Sequence, residues 1–178
     1  MERNNKKYDD ITSPIYTTLH REYESILERG RSIDSRAGIF LTFLFTAFPF
    51  YVEIINLDYI KMLTEKTCFS FIDVILIITF VLSTFAFLTA FVLFVIVLSS
   101  RKYKAFNDLM FKGFNIIEYE NRDTTINDIN VGLMSHLHEY IEHNNNVINK
   151  KAKIFDWALW ICFSYVTLMI ITIFLKLI

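Results

Sequence analysis

The stretch Ile72–Leu98 reads IDVILIITFVLSTFAFLTAFVLFVIVL, 27 residues whose only charge is Asp73. A helix crosses the hydrocarbon core of a bilayer with roughly 20 apolar residues. Two further runs reach that length, Gly38–Leu57 with 20 residues and Ile154–Ile178 with 25. A soluble domain of 178 residues has no use for three such stretches, so the chain reads as an all-α integral membrane protein. The composition agrees, at 53% hydrophobic and 16% aromatic residues with a mean hydropathy of +0.36.

The charges set an expected topology. Seven Lys/Arg precede the first span, two lie between spans one and two, eight lie between spans two and three, and one, Lys176, follows. Cytoplasmic segments carry the excess of Lys and Arg. With 15 positive charges against 3, the N-terminus and the central segment are expected in the cytoplasm. The short loop and the C-terminus then face outward. The formal net charge of −1 gives no general attraction to nucleic acid, and no direct DNA binding is expected.

The first 37 residues are polar, without a short apolar core or a small-residue cleavage site, so the first span is expected to act as an uncleaved anchor. With Glu2 in place of the glycine that myristoylation needs, and no cysteine in Leu175–Ile178 for prenylation, no lipid anchor is expected. Cys68 and Cys162 are expected at opposite membrane faces, which rules out an intrachain disulfide.

Local signals divide the chain. Residues 1–12 read as a flexible, charged segment. Ser13 followed by Pro14 is a helix-start pattern. Ile15, Leu19, Tyr23, Ile26 and Ile33 then share one helical face, and no stop signal precedes the span. Residues 13–57 are therefore expected to form one amphipathic helix running into transmembrane helix 1, with Gly30 and Pro49 as the places for a bend. An external loop covers 58–70. No Gly or Pro interrupts Cys68–Phe111, so helix 2 with a cytoplasmic extension is expected over 71–112. A turn and a cytoplasmic amphipathic helix follow over 113–153, with Thr125 and Asp128 as a weak capping box, and transmembrane helix 3 covers 154–178. The expected architecture is three transmembrane helices extended into a cytoplasmic helical bundle.

The third helix carries a seam. Ile129, Leu133, Leu137, Tyr140, Asn144, Val147 and Lys151 recur at three- and four-residue steps, with polar Asn144 in a core position. The oligomer seam is assigned to Ile129, Leu133, Leu137, Asn144 and Val147. Three stripes bury little surface alone, so a homo-oligomer is expected. Trp157 and Trp160 stand where indoles anchor at headgroups.

Several clusters bear on chemistry. His136, Glu139 and His143 share a face, but seven residues between the two His is long for one metal, and no His-Glu-x-x-His motif is present. A solvated face, or protonation tuning the bundle, explains them better, and no metal or cofactor is assigned. Arg31, Asp34 and Arg36 crowd the membrane-entry junction, where they either form an ion pair or reach for headgroups. Glu53 falls four residues inside the end of span one and is the pore-lining candidate, because an ionisable group at membrane depth faces a bundle interior or an aqueous path. Arg101, Lys102, Lys104, Lys150, Lys151 and Lys153 form a basic collar suited to anionic headgroups. No phosphate loop and no nucleophile–base pair is present, so no catalytic residue is assigned.

The junction Arg31-Ser32-Ile33-Asp34-Ser35-Arg36-Ala37 resembles the Ile-Asp-x-Lys-Ala entry to the first span of small bacterial transmembrane effectors of phage defence, the Pycsar-type and SLATT-type families, with Arg36 in place of the Lys. The order of later features is similar: Ser100-Arg101-Lys102-Tyr103 after the second span, and Asn149-Lys150-Lys151-Ala152 before the third. The resemblance covers about residues 20–178. It implies an effector of bacterial immunity in the inner (cell) membrane that oligomerises on a cue and permeabilises or depolarises that membrane. Such effectors often answer a nucleotide signal or a protein partner encoded nearby. The rival from another class is a membrane scaffold or anchor subunit that recruits a cytoplasmic partner. A membrane enzyme using the His136/Glu139 cluster is the third.

Overall fold

The computed structural model describes residues 2–65, 70–99, 103–104 and 126–177; within the helices, the side chains of 2–13, 57, 64, 126–131 and 133 lie outside the described residues. The described elements are four helices, α1 (Glu2–Ile55), α2 (Leu57–Thr64), α3 (Phe71–Leu98) and α4 (Ile126–Leu177), and no strand occurs among the described residues. Pro14–Ile55, Phe71–Leu98 and Met134–Leu177 hold the three stretches long and apolar enough to cross a membrane. The chain is all-helical with three spans.

The boundaries differ from the local signals in three places. α1 begins at Glu2, so Ser13 and Pro14 lie inside it and do not start it. The helix also runs through Pro49. In an apolar surrounding the backbone groups beside a proline have no water to turn to, which favours keeping the rest of the ladder. α1 ends at Asn56, the one described non-glycine residue with positive φ, at 60°. Asparagine tolerates that region. Its backbone N–H still reaches Val52 O at 3.0 Å, and its Oδ1 accepts the Asp58 N–H at 3.0 Å. α2 therefore starts at once, inside the expected external loop. At the start of α3 the Asp73 carboxylate accepts the Ser70 N–H at 3.1 Å, which gives Asp73 a capping role.

The third difference is the largest. Helix 2 does not run unbroken from 71 to 112, because α3 stops at Leu98, while residues 105–112 lie outside the described residues. Ser99 donates its N–H to Val95 O at 2.8 Å and then turns to φ −56°, ψ 122°. Tyr103 and Lys104 are not helical. Consecutive serines are weak helix formers, and the backbone of Lys104 finds its partners in another helix. The expected turn over 113–124, Thr125, and Arg101, Lys102 and Cys68 lie outside the described residues.

The chain divides into two compact units, Met1–Ser32 with Arg101–Lys150, and Ile33–Ser100 with Lys151–Ile178. In the second unit the buried stripe of α3 is Leu76, Ser83, Phe87, Ala90, Phe94 and Val97, with half-buried Phe80 completing strict four- and three-residue steps. α4 continues the same rhythm with Lys151, Phe155, Ala158, Cys162 and Tyr165. α1 contributes Ala37, Leu44, Tyr51 and Ile55. The α3 and α4 positions follow a heptad spacing. Ala37, Ala90 and Ala158 are fully buried and let the helices approach closely, as small residues do in membranes. Aromatic rings fill the space between: Phe48 stacks on Phe87 with centroids 4.0 Å apart, and Phe40 stacks on Phe94 at 5.7 Å and meets Phe155 edge-on at 6.2 Å.

The outer surface of this unit suits lipid. Ile39, Phe45, Phe50, Phe71, Phe85 and Phe174 are all exposed. Polar side chains on it are satisfied within their own helices: Thr42, Thr46, Thr89, Ser164 and Thr167 donate to carbonyls four residues back at 2.8–3.0 Å. A hydroxyl bonded in this way is tolerated where no water is present.

Candidate functional site

The first unit is organised around a two-residue strap. Asn144 sits on the buried stripe Leu137, Ile141, Asn144, Ile148 of α4 and is itself fully buried. A carboxamide buried without partners would carry a large desolvation penalty. Here it meets the backbone of Lys104. Its Oδ1 accepts the Lys104 N–H at 2.9 Å, and its Nδ2 donates to the Lys104 carbonyl at 3.0 Å. The Tyr23 hydroxyl of α1 donates to the same carbonyl at 3.2 Å. The Lys104 side chain extends the grip: Nζ lies 2.6 Å from Glu139 Oε1 and 5.2 Å from the Tyr140 ring centroid. Gly30 on α1 makes room for the preceding residue. A Cβ there would come within 3.1 Å of the Tyr103 hydroxyl and 3.3 Å of Ile148 Cδ1. The strap thus lies against both α1 and α4.

The second unit holds an ion pair at the membrane-entry junction. Lys151 is 2% exposed, at a core position of the α4 stripe, and its Nζ lies 2.5 Å from Asp34 Oδ1, an ion pair by distance rather than an aligned hydrogen bond. Asp34 is 34% exposed. An ammonium buried this far needs a counter-charge, and α1 supplies it. Arg31 and Arg36 are exposed and stand outside the pair.

The opposite end of that unit is tied as well. Lys176 Nζ donates to the Ile54 carbonyl in the last turn of α1 and lies 5.7 Å from the Tyr59 ring centroid. A cation suits the unpaired carbonyls there. The C-terminal ends of α1 and α4 are therefore neighbours. Deeper in, the Tyr51 and Ser83 hydroxyls share a hydrogen bond of 2.7 Å.

The sequence-derived candidates fall out as follows. Leu137 and Asn144 are buried, but Val147 is only half-buried and Ile148 takes the core position. The stripe steps 137–141–144–148–151, whereas the seam was framed as 137–140–144–147–151; the two frames share every second position. The side chains of Ile129 and Leu133 lie outside the described residues. Asn144 is satisfied within its own chain, so its position in the stripe does not by itself demand a second copy. The basic collar divides: Lys151 is buried against Asp34, Lys104 is held by Glu139, and Lys150 and Lys153 are exposed. Glu53 is exposed on α1, away from the buried stripe. His136, His138 and His143 are exposed, and Glu139 is turned to Lys104. Trp157 and Trp160 are 68% and 72% exposed and line a groove on α4 with Lys153 and Asp156. The strap was not foreseen. Its signals are a glycine inside an otherwise regular helix and an asparagine inside a heptad stripe.

Three apolar spans packed by heptad stripes, with a buried ion pair at their entry, define a multi-pass membrane protein. The chain belongs to the Pycsar effector family: the family model described as the Pycsar effector protein domain, PycTM, matches residues 18–178. It is thus a membrane-associated effector of antiviral immunity. No curated protein and no solved structure matches it.

Proposed function

We propose that this chain defends its cell by oligomerising on a cue and permeabilising or depolarising the inner membrane, by assembly and not by a catalytic step. The observation that carries the reading is the extent of the family match, which takes in both compact units from residue 18 to residue 178. The lipid-compatible surface of the second unit supports it. Family membership favours a nucleotide signal as the cue, reaching the chain directly or through a protein partner encoded nearby. The Lys/Arg asymmetry supports a cytoplasmic N-terminus and central segment.

Glu53 fits a conducting path between copies rather than through one chain, because it lies on the outer side of α1. The test is expression in a bacterial host with a voltage-sensitive dye and native gel electrophoresis. Depolarisation that tracks the appearance of oligomers, and that falls when Glu53→Gln is expressed at the same level, supports the reading. Stable co-purification of a soluble partner without depolarisation would overturn it in favour of a membrane anchor.

A further inference from the structure

The stripe of α4 holds one carboxamide among apolar residues, and its donor and acceptor are both occupied by a strap of the same chain. A polar residue at a heptad core position selects what packs against it, because an apolar neighbour leaves it unpaired. The backbone of Lys104 presents one donor and one acceptor side by side. A second carboxamide presents the same pair. The edge that Asn144 shows to Lys104 is thus also the edge it would show to Asn144 of another copy.

We propose that Tyr103–Lys104 occupies, within one chain, the place on α4 that a second copy of this chain takes on assembly, and that displacement of the strap licenses oligomerisation. The proposal rests on the assembly reading above and adds its control step. The strap has a releasable kind of attachment. Its contacts include the carboxamide pair, the Tyr23 hydroxyl, the Tyr140 ring and a Lys104–Glu139 contact whose side chains are 38% and 60% exposed. Tyr103 and Lys104 are not themselves part of a helix. Gly30 keeps the resting place open, since any larger residue presses on the Tyr103 hydroxyl. Leu137, Ile141 and Ile148 flank Asn144 on the same stripe, and all three are buried within the single chain.

The experiment uses the full chain in a bacterial host at graded expression, reading the oligomer fraction on native gels and the membrane potential by dye. Lys104→Pro removes the N–H that Asn144 accepts. The variant is expected to reach half-maximal oligomer at about tenfold lower protein level than wild type, with depolarisation shifting in parallel. Adding Asn144→Asp, which cannot pair with its own copy, is expected to abolish that gain. Gly30→Ala tests the strap from the other side and strengthens the helix locally, so it decides the matter if Lys104→Pro does not accumulate. It is expected to shift the midpoint the same way, and adding Tyr103→Phe to remove the crowding hydroxyl should return the midpoint to that of Tyr103→Phe alone. Strap variants with the wild-type midpoint, or with weaker assembly, overturn the proposal while leaving the assembly reading intact. A wild type and variants that stay monomeric at every level overturn both.

Discussion

Lys151 and Asp34 meet at 2.5 Å, and the lysine is all but removed from solvent while the aspartate keeps one-third of its surface exposed. The asymmetry decides what each substitution should do. Removing Asp34 takes away the counter-charge of a buried ammonium, whereas removing Lys151 leaves a carboxylate that water can still reach.

Asp34→Asn is accordingly expected to destabilise more than Lys151→Met. Breaking a buried pair costs about 3–5 kcal/mol, and the partial exposure of Asp34 brings the expectation to about 2 kcal/mol. Combining Asp34→Asn with Lys151→Met should recover most of the loss, since no unpaired charge remains. Thermal unfolding in mild detergent gives all three values. Equal effects of the two single substitutions would mean that Lys151 is solvated.

Asn144→Ala should leave the Lys104 N–H and carbonyl short of a partner in the strap. The expected loss is ~1–3 kcal/mol, the range for a buried polar group left unsatisfied. Hydrogen exchange reads it locally. The Lys104 amide should be protected in the wild type and exchange freely in the variant, with the amides of Phe155–Tyr165 unchanged.

Tyr51→Phe and Ser83→Ala remove the two ends of the hydrogen bond inside the second unit. Interhelical hydrogen bonds in membrane proteins average about 0.6 kcal/mol, with about 1.7 as a maximum. A double-mutant cycle should give a coupling in that range. Zero coupling would show that the hydroxyls find other partners, among them the Phe80 carbonyl that Ser83 also reaches at 2.8 Å.

The contact of Lys176 with Ile54 makes the topology testable twice over. Reporters inserted after Glu65 and after Ile178 should read the same side, because the ends of α1 and α4 are neighbours. From the charge distribution, the expected reading is the outer side. Opposite readings from the two sites would contradict the packing, and two cytoplasmic readings would contradict only the orientation.

The spans are plain in the sequence because hydrophobicity over roughly 20 residues outweighs every local signal. Two boundaries are less legible, because local start and stop patterns do not decide them. Ser13–Pro14 carries a start pattern, yet α1 runs through it, and Ser99–Ser100 carries no strong stop, yet α3 ends there. The strap was hidden for a different reason. Its key groups are the backbone N–H and carbonyl of Lys104, which every residue but proline possesses, so no residue type announces them. Gly30 and Asn144 were each visible as a breach of local preference, and the place where two breaches coincide is where a functional or strained contact is expected. The frame of the α4 stripe is ambiguous in the sequence because Tyr140 and Val147 fit a largely apolar stripe at the same spacing as Ile141 and Ile148. Only packing, with the Tyr140 ring beside Lys104, chooses between them.

Strict four- and three-residue steps repeat every seven residues, fewer per turn than a straight helix has, and helices sharing such a repeat wind around one another to the left. α3 has 28 residues, about 42 Å of helix, against a superhelical pitch of about 150 Å. Across the membrane the stripe therefore sweeps through roughly a quarter turn. The lipid-facing side sweeps with it, so that Phe71 and Val92, three heptads apart on the exposed row Phe71, Ile78, Phe85 and Val92, point along different bearings. A straight, rigid neighbour can touch such a surface at one depth only; a neighbour that follows it from leaflet to leaflet must be coiled in the same hand, as another copy of this chain would be.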